Sequence, residues 1–381
     1  MENPSGRPVA GVGENPAGRR AVRVDASFAI KTEKIKNILV RGTNWVGDAV
    51  MTLPALAAIR QNFPGARITV LAKPWVQGVY AHCPDIDGIM TFDQQAGFLN
   101  SRYYRSRYLL IRQLRNQQFD MAVLLQNAFE AALIAFGAGI PCRVGYNTDR
   151  RSWLLTHKVR ISEEILSVHQ VYYYLGMLES LGWTVKEPAP RLLITSREKE
   201  KAVRYLTDKG WQEPDLLLGF NPGAFFGPAK RWLPEYYAAV ADRAVQHYGA
   251  KCIIFGSTSD LPAAREMASR MQSAQPILSA GETGLEELPG LLSMCSLFIT
   301  NDSGLMHMAA ALGIPVIAIF GSTDPRTTSP YGEEHTVIYR RVPCSPCLRR
   351  ECPTDHKCMK AVTVDDVWQA VVEKQESRAR K

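Results

Sequence analysis

Short apolar runs bounded by turn residues recur along the chain at 37–41, 67–72, 121–126, 216–220, 252–256, 297–300 and 315–321. Between them, 48–63, 233–248 and 261–271 have the length and apolar spacing of amphipathic helices. Strands that alternate with helices predict parallel sheets, so the fold class is α/β with two doubly wound, Rossmann-like halves. Residues 182–196, with Pro188 and Pro190, read as a strand-turn-strand linker or boundary, and the domain break is placed near 190. The expected domains are 36–190 and 191–362. From 363 the pattern is again helical, with Val364, Val367, Trp368, Val371 and Val372 on one side and Asp365 and Asp366 favouring the N-terminal dipole. That last helix, within 363–381, is expected to pack back on the body. There is no internal repeat.

A length of 381 residues and a hydrophobic content of 46% fit two soluble globular domains. The longest uncharged, mostly apolar stretches, 131–140 and 49–59, fall short of the roughly 18 residues a membrane-spanning helix needs. Residues 1–35 are rich in Gly, Pro and Arg and lack an apolar core, which predicts a disordered extension rather than a secretory signal, and so a cytoplasmic protein. The net charge of +8 calls for an anionic partner, without choosing among nucleotide phosphate, nucleic acid and an acidic membrane surface. Of eight cysteines, Cys83, Cys142, Cys252 and Cys295 are scattered in apolar contexts as core residues. No framework of disulfides spans the chain, in keeping with a reducing compartment.

In open parallel sheets, ligands sit beyond the carboxyl ends of strands, where helix N-termini offer free N–H groups. Four loops have that placement. The first, Gly42-Thr43-Asn44-Trp45-Val46-Gly47-Asp48, lacks both the G-x-G-x-x-G spacing and the G-K-[ST] ending of known phosphate loops. Asp48 in it is either a residue that favours the helix dipole or a general base; one carboxylate suffices for a direct inverting displacement. The second runs from Asn221-Pro222-Gly223-Ala224 to Ala229-Lys230-Arg231-Trp232. A Lys-Arg pair just before a helix suits a diphosphate leaving group, although such pairs are also common solvated surface charges. The third is Asn301-Asp302-Ser303-Gly304, which joins N-capping side chains to a backbone that permits close approach; His307 lies four residues past Ser303 on the same helical face. Beside Met306 and Met308 that histidine could equally be a packing residue. In the fourth, Gly256-Ser257-Thr258-Ser259-Asp260, the carboxylate could bind a ribose or simply cap the helix that follows.

Taken together these segments resemble the lipopolysaccharide heptosyltransferases of the type II form, in the inverting ADP-heptose transferase family (glycosyltransferase family 9). The most specific stretches are Arg41 to Pro54 with Gly47-Asp48, the Asn221-Pro222-Gly223-Ala224 and Ala229-Lys230-Arg231-Trp232 run, and Asp302-Ser303-Gly304 with His307, Ala310 and Gly313-Ile314-Pro315. The likeness covers roughly residues 35–375. It implies two Rossmann-like domains facing across a cleft (GT-B type), the acceptor mainly on the first and the nucleotide sugar on the second, and metal-independent inversion with no catalytic cofactor. Carried over by position, Asp48 is the base and Lys230 the phosphate contact. Asn221, Gly223, Arg231, Asp302, Ser303, Gly304 and His307 form the nucleotide-sugar pocket, with Asp260 a weaker candidate for the ribose. Asn127, Arg143, Tyr146 and Arg150 fall in the acceptor-side region. There Asn127-Ala128-Phe129 stands where Asn-Ser-Phe is expected, so a hydroxyl is missing.

The implied partners are ADP-heptose and a lipopolysaccharide inner-core acceptor (Kdo/heptose-lipid A), at the inner face of the cytoplasmic membrane as a peripheral protein, and not nucleic acid. Between 98 and 119 no acidic residue occurs, while Arg102, Arg105, Arg107, Arg112 and Arg115 interleave with Tyr103, Tyr104 and Tyr108. This is a solvated helix face or a platform for the carboxylates and phosphates of the acceptor. Cys344, Cys347, Cys352 and Cys358, with His356 nearby, could supply four tetrahedral ligands to a structural zinc, or be free thiols, or pair locally. Two other functions stay open at this stage: a different nucleotide-sugar enzyme on the same architecture with another acceptor, and a non-catalytic polyanion-binding module, which would leave the glycine-bearing strand-to-helix loops unexplained.

Overall fold

The computed structural model describes residues 9–10, 30, 32–93, 101–186 and 189–380. Most of the expected extension 1–35, and Pro188 of the expected linker, lie outside the described residues. The chain divides into two compact units, one of residues 16–191 and the other of residues 192–381 together with 1–15.

The described strands are β1 (Val9–Ala10), β2 (Asn37–Arg41), β3 (Arg67–Ala72), β4 (Gly88–Thr91), β5 (Met121–Leu124), β6 (Cys142–Tyr146), β7 (His157–Val159), β8 (Leu217–Asn221), β9 (Lys251–Ile254), β10 (Ile277–Leu278), β11 (Leu297–Asn301), β12 (Val316–Phe320) and β13 (Thr336–Tyr339). The first unit holds a six-stranded sheet in the order β4-β3-β2-β5-β6-β7, every pairing parallel. The second holds the order β1-β13-β12-β11-β8-β9-β10, parallel except for β1, which runs antiparallel to β13. Apart from the edge strand β1, each sheet therefore starts in its middle and winds outward both ways. Its switch points lie between β2 and β5 and between β8 and β11, where the connections leave on opposite faces and a crevice opens at the carboxyl ends.

The central strands are buried along almost their whole length, as their unbroken apolar runs require when helices cover both faces. The first core gathers Leu39, Leu71, Ala122 and Leu124 of the sheet with Leu110, Leu114, Ala132 and Ile134 of two helices. The second gathers Leu218, Phe220, Ile254, Ile299 and Ile319 with Trp232, Tyr237, Val240 and Met267.

The helix expected over 48–63 is two helices, Val46–Met51 and Leu53–Asn62. Pro54 has no N–H to continue the ladder, and Thr52 turns its hydroxyl onto the Ala49 carbonyl at 2.6 Å, so the first helix ends there. No strand forms at 182–196 among the described residues. The last helix, Val364–Ala379, starts in a capping box in which Thr363 and Asp366 satisfy each other's backbone N–H groups. Its Val367, Ala370 and Val371 join the core of the second unit, and Trp368 meets His247 and Tyr248 of helix Pro234–Tyr248. Among the described residues no helix is long and apolar enough to cross a membrane.

Candidate active site

In the second unit, β8 and β11 end side by side at the switch point, so Asn221 and Asn301 are neighbours before any ligand is considered. Lys230 arrives from the loop after β8 and Asp302 from the end of β11; their Nζ and Oδ2 lie 2.6 Å apart, and both side chains are largely buried. Thr323, just past β12, donates its hydroxyl to the same Asp302 oxygen at 2.7 Å. Lys230 also lies over the Phe226 ring, 4.9 Å from its centroid. The cation is thus held at the mouth of the crevice with its charge compensated, which is how a sequence can keep a half-buried ammonium in place.

Ser303 caps helix Gly304–Ala311, its Oγ accepting from Met306 N at 3.2 Å. Asn221 donates to the same Oγ at 3.0 Å and to Thr300 Oγ1 at 3.3 Å. The other end of the Asn221 amide, Oδ1, is buried and takes no hydrogen bond among the described residues. Gly304 forms the first turn of that helix and His307 is buried within it.

Asn301 opens the third candidate loop but was given no role in the pocket, yet it organises the site. Its Nδ2 donates to the carbonyls of Pro222 and Gly223 at 3.0 and 3.1 Å, while its Oδ1 accepts from Trp232 N at 2.8 Å and Tyr237 Oη at 2.9 Å. One fully buried amide therefore ties the start and the end of the Lys230 loop to β11. The signal in the sequence was a polar pair, Thr300-Asn301, closing an apolar strand.

Asp260 takes the capping role rather than presenting a free carboxylate. Its Oδ2 accepts from Ser257 N and Oγ at 3.1 and 2.6 Å, and its Oδ1 faces Arg231 at 3.3 Å. Gly223 is required by this packing, because a Cβ there would lie 2.3 Å from Asp260 Cγ. Both Asp260 oxygens are therefore engaged within the unit. Arg231 lines a cavity of about 420 Å³ with Pro222, Trp232, Glu266 and His356.

The cysteine-bearing loop braces the same site. Arg350 O accepts from Ala229 N at 3.1 Å and Arg350 Nε donates to Phe226 O at 2.8 Å, so the loop clamps the segment that carries Lys230. A Cβ at Gly227 would lie 2.2 Å from that carbonyl, which explains the glycine. Zinc was one of three alternatives for this cluster, and the structure adds no support for it: among the described residues no group of three His, Cys, Asp or Glu side chains is placed to hold a metal ion. Cys358 is turned into the core beside Gly321, Cys352 accepts from His356 N at 3.4 Å, Cys344 is exposed, and Cys347 is half-buried. All eight cysteines are unpaired thiols. Burial, then the neighbouring thiols, pushes Cys358 up, whereas hydrogen bonds from Thr354 hold Cys352 below its ordinary value.

In the first unit, Asp48 is half-buried in the first turn of Val46–Met51, directly after the loop that leaves β2. Burial, and with it the Asp48 charge, pushes the nearby Tyr174 hydroxyl well up, so that phenol stays protonated. Arg41, the last residue of β2, is buried and donates to Leu71 O at 3.1 Å, to Asn44 Oδ1 at 2.9 Å and to Gly42 O. Burial lowers its pKa to about 10. Asn127, in the loop after β5, donates to Tyr173 Oη at 2.6 Å and accepts from Arg151 at 3.1 Å. The missing hydroxyl at Ala128 has a substitute: the N-cap makes no side-chain bond of its own, and Asp149 accepts from Phe129 N at 2.5 Å instead.

Two of the residues expected on the acceptor side are engaged within the unit. Tyr146 is buried and donates to Tyr173 O at 2.6 Å, and Arg143 spends its guanidinium on the carbonyls of Leu154 and Ile140. Their neighbour Arg151, fully buried, bridges Tyr146 O, Gln126 O and Asn127, a role that its place in an Arg-Arg pair did not reveal. Arg102 and Arg105 lie exposed on helix Ser101–Asn116, whose buried residues are Leu110 and Leu114; Arg150 is exposed with a left-handed φ of 55°.

The second unit thus offers a compensated lysine and a capped helix N-terminus at its switch point, which suit an anionic group, with an amide oxygen beside them that can accept from a hydroxyl. The family model for glycosyltransferase family 9 (heptosyltransferase) matches residues 107–358. The chain is 32% identical over 311 residues to lipopolysaccharide heptosyltransferase 2 of Escherichia coli (strain K12), covering 79% of this chain and 87% of that relative. It is also 32% identical over 311 residues to lipooligosaccharide heptosyltransferase 2 of Haemophilus influenzae, covering 79% and 88%. The solved structure of the Escherichia coli ADP-heptose LPS heptosyltransferase II superposes with a TM-score of 0.78 at 26% identity, over 91% of this chain and 100% of that one. The chain belongs to glycosyltransferase family 9, the heptosyltransferases, and its fold class is the GT-B type.

Proposed function

We propose that this glycosyltransferase moves L-glycero-D-manno-heptose from ADP-heptose to the heptose of the lipopolysaccharide inner core, with inversion, working as a peripheral protein at the inner face of the cytoplasmic membrane. The observation that carries the donor side is the Lys230–Asp302 pair at the end of β8 and β11, beside the Ser303-capped helix. A diphosphate there meets a fixed cation and free N–H groups at Gly304, and its leaving oxygen gains charge as the sugar departs. Asn221 Oδ1 is an acceptor for a sugar or ribose hydroxyl.

On the acceptor side, Asp48 removes the proton of the attacking hydroxyl. That oxygen forms its bond to the anomeric carbon while the bond from that carbon to the β-phosphate oxygen breaks on the opposite face; the electron pair leaves with ADP. Asp302 acts through Lys230 as a positioning residue, and Asn301 holds the loop that carries it. The test is calorimetric titration with ADP, UDP, GDP and NAD, followed by transfer assays with ADP-heptose and a heptose-terminated core acceptor. ADP should bind at least tenfold more tightly than the others and heptose should appear on the acceptor. Equal affinities, or transfer from a different nucleotide sugar alone, would sink the reading.

A further inference from the structure

Lys73 follows β3 directly and is buried to 4% exposure, yet its Nζ makes no hydrogen bond among the described residues. Its ammonium lies over the rings of Phe92 and Trp75, at 4.7 and 5.8 Å from their centroids. Ring contacts offset only part of the cost of taking an ammonium out of water, and a buried cation is ordinarily paired with a carboxylate. Here the surroundings are mixed: Arg41 and Arg107 add positive charge, Glu130 and Asp93 negative charge. Glu130 is already taken by Arg107, in an ion pair. Burial first, and Arg41 next, lower the Lys73 pKa, with Glu130 and Asp93 opposing the shift. The position is also informative. β3 lies beside β2, the strand that leads to Asp48, so Lys73 and Arg41 end adjacent strands at the carboxyl edge of the sheet.

We propose that Lys73, backed by Arg41, is an oxyanion subsite that takes a carboxylate or phosphate carried by the acceptor saccharide. The anion supplies the hydrogen-bond acceptor that Lys73 Nζ lacks among the described residues, so acceptors without it leave the buried ammonium unsatisfied. Lys73 is then a specificity residue for the acceptor rather than part of the chemical step. The assignment of an anionic acceptor rests on the function proposed above; the presence of an oxyanion site at Lys73 does not.

The experiment compares the full-length protein with Lys73→Met, which keeps the apolar stem and removes the charge, and with Lys73→Arg, which keeps the charge. In the first arm, thermal melting is followed against inorganic phosphate with ADP at saturation. Wild type and Lys73→Arg should be stabilised by phosphate, and Lys73→Met should not. In the second arm, steady-state transfer should show an acceptor KM at least tenfold higher for Lys73→Met, with kcat and donor KM within about threefold of wild type. Dephosphorylated, carboxyl-reduced acceptor should erase the difference between the two. An unchanged phosphate response together with an unchanged acceptor KM overturns the proposal, as does a fall in kcat alone. If wild type transfers no heptose at all, the proposed function fails while the phosphate arm still decides the site.

Discussion

The two units carry the same winding order and treat the charges at the carboxyl edges of their sheets in opposite ways. In the second unit, each charge at the switch point has a partner: Lys230 has Asp302, Asp302 has Thr323 as well, and Arg231 has Asp260. In the first, Lys73 is buried without a hydrogen-bond partner among the described residues, and Arg41 donates to backbone carbonyls and an amide. The difference separates two ways of being ready for an anion. A compensated cation is held in one geometry and gives its ligand a fixed target, at the cost of a carboxylate that competes for it. An uncompensated one binds its ligand with less competition and weakens the fold until it does.

The largest expected effect tests whether the first unit contributes chemistry at all. Asp48→Asn should lower turnover by about 10² to 10⁴ with nucleotide affinity nearly unchanged, the usual worth of a positioned base. Wild-type turnover in the purified variant would remove Asp48 from the reaction and leave the first unit with binding alone.

Next comes the compensated pair. Lys230→Met should cost about 10² to 10³ in turnover and, because it strands the buried Asp302 carboxylate, about 3 kcal/mol of stability by chemical denaturation. Adding Asp302→Asn should restore most of the stability and none of the turnover. If the double variant regains transfer, the charge of Lys230 serves the fold and not the leaving group.

Acid should act mainly on the second unit. His335 is buried, its Nε2 donates to Tyr331 O at 3.2 Å, and burial lowers its pKa from 6.5 to about 4. The folded pKa lies below the unfolded one, so this contribution is whole above pH 6.5 and is lost as pH falls from 6.5 towards 4. The full loss is on the order of 3 kcal/mol at about 1.4 kcal/mol for each pKa unit. His335→Gln should flatten that part of the stability curve; an unaltered slope in denaturation series across this window would assign it to other groups.

Smallest is Tyr146→Phe, which deletes one buried hydrogen bond to Tyr173 O and should cost about 1 kcal/mol. Acceptor KM should stay within twofold of wild type. A large rise would return Tyr146 to the acceptor site, against the geometry that places its hydroxyl on the backbone.

Much of this was legible before any coordinates. β2 and β3 coincide with the apolar runs at 37–41 and 67–72, and the loops at Gly42, Asn221 and Asp302 do follow strands. The strands that sequence reading missed, β6, β7, β10 and β13 among them, are short or carry polar residues such as Arg143, Gly145, Lys158 and Thr336, so their apolar signal is weak. Tyr146 and Arg143 were placed on the acceptor side by their position in the family's pattern, which carries no information about the intramolecular partners they take in the fold.

By itself, then, the sequence determined the alternation of buried strands and covering helices, and the strand-to-helix loops on which Lys230, Asp302 and Ser303 stand. These follow from side-chain periodicity and from Gly, Pro and capping residues, which act over a few positions along the chain. Only the tertiary structure decided which of those polar groups meet. Asn301 reaches Gly223 across 78 residues and Trp232 across 69, and Lys230 reaches Asp302 across 72. It also decided that Lys73 is buried without a hydrogen-bond partner among the described residues. Satisfaction of a buried polar group depends on what the fold brings within about 3 Å of it, and no local pattern carries that information.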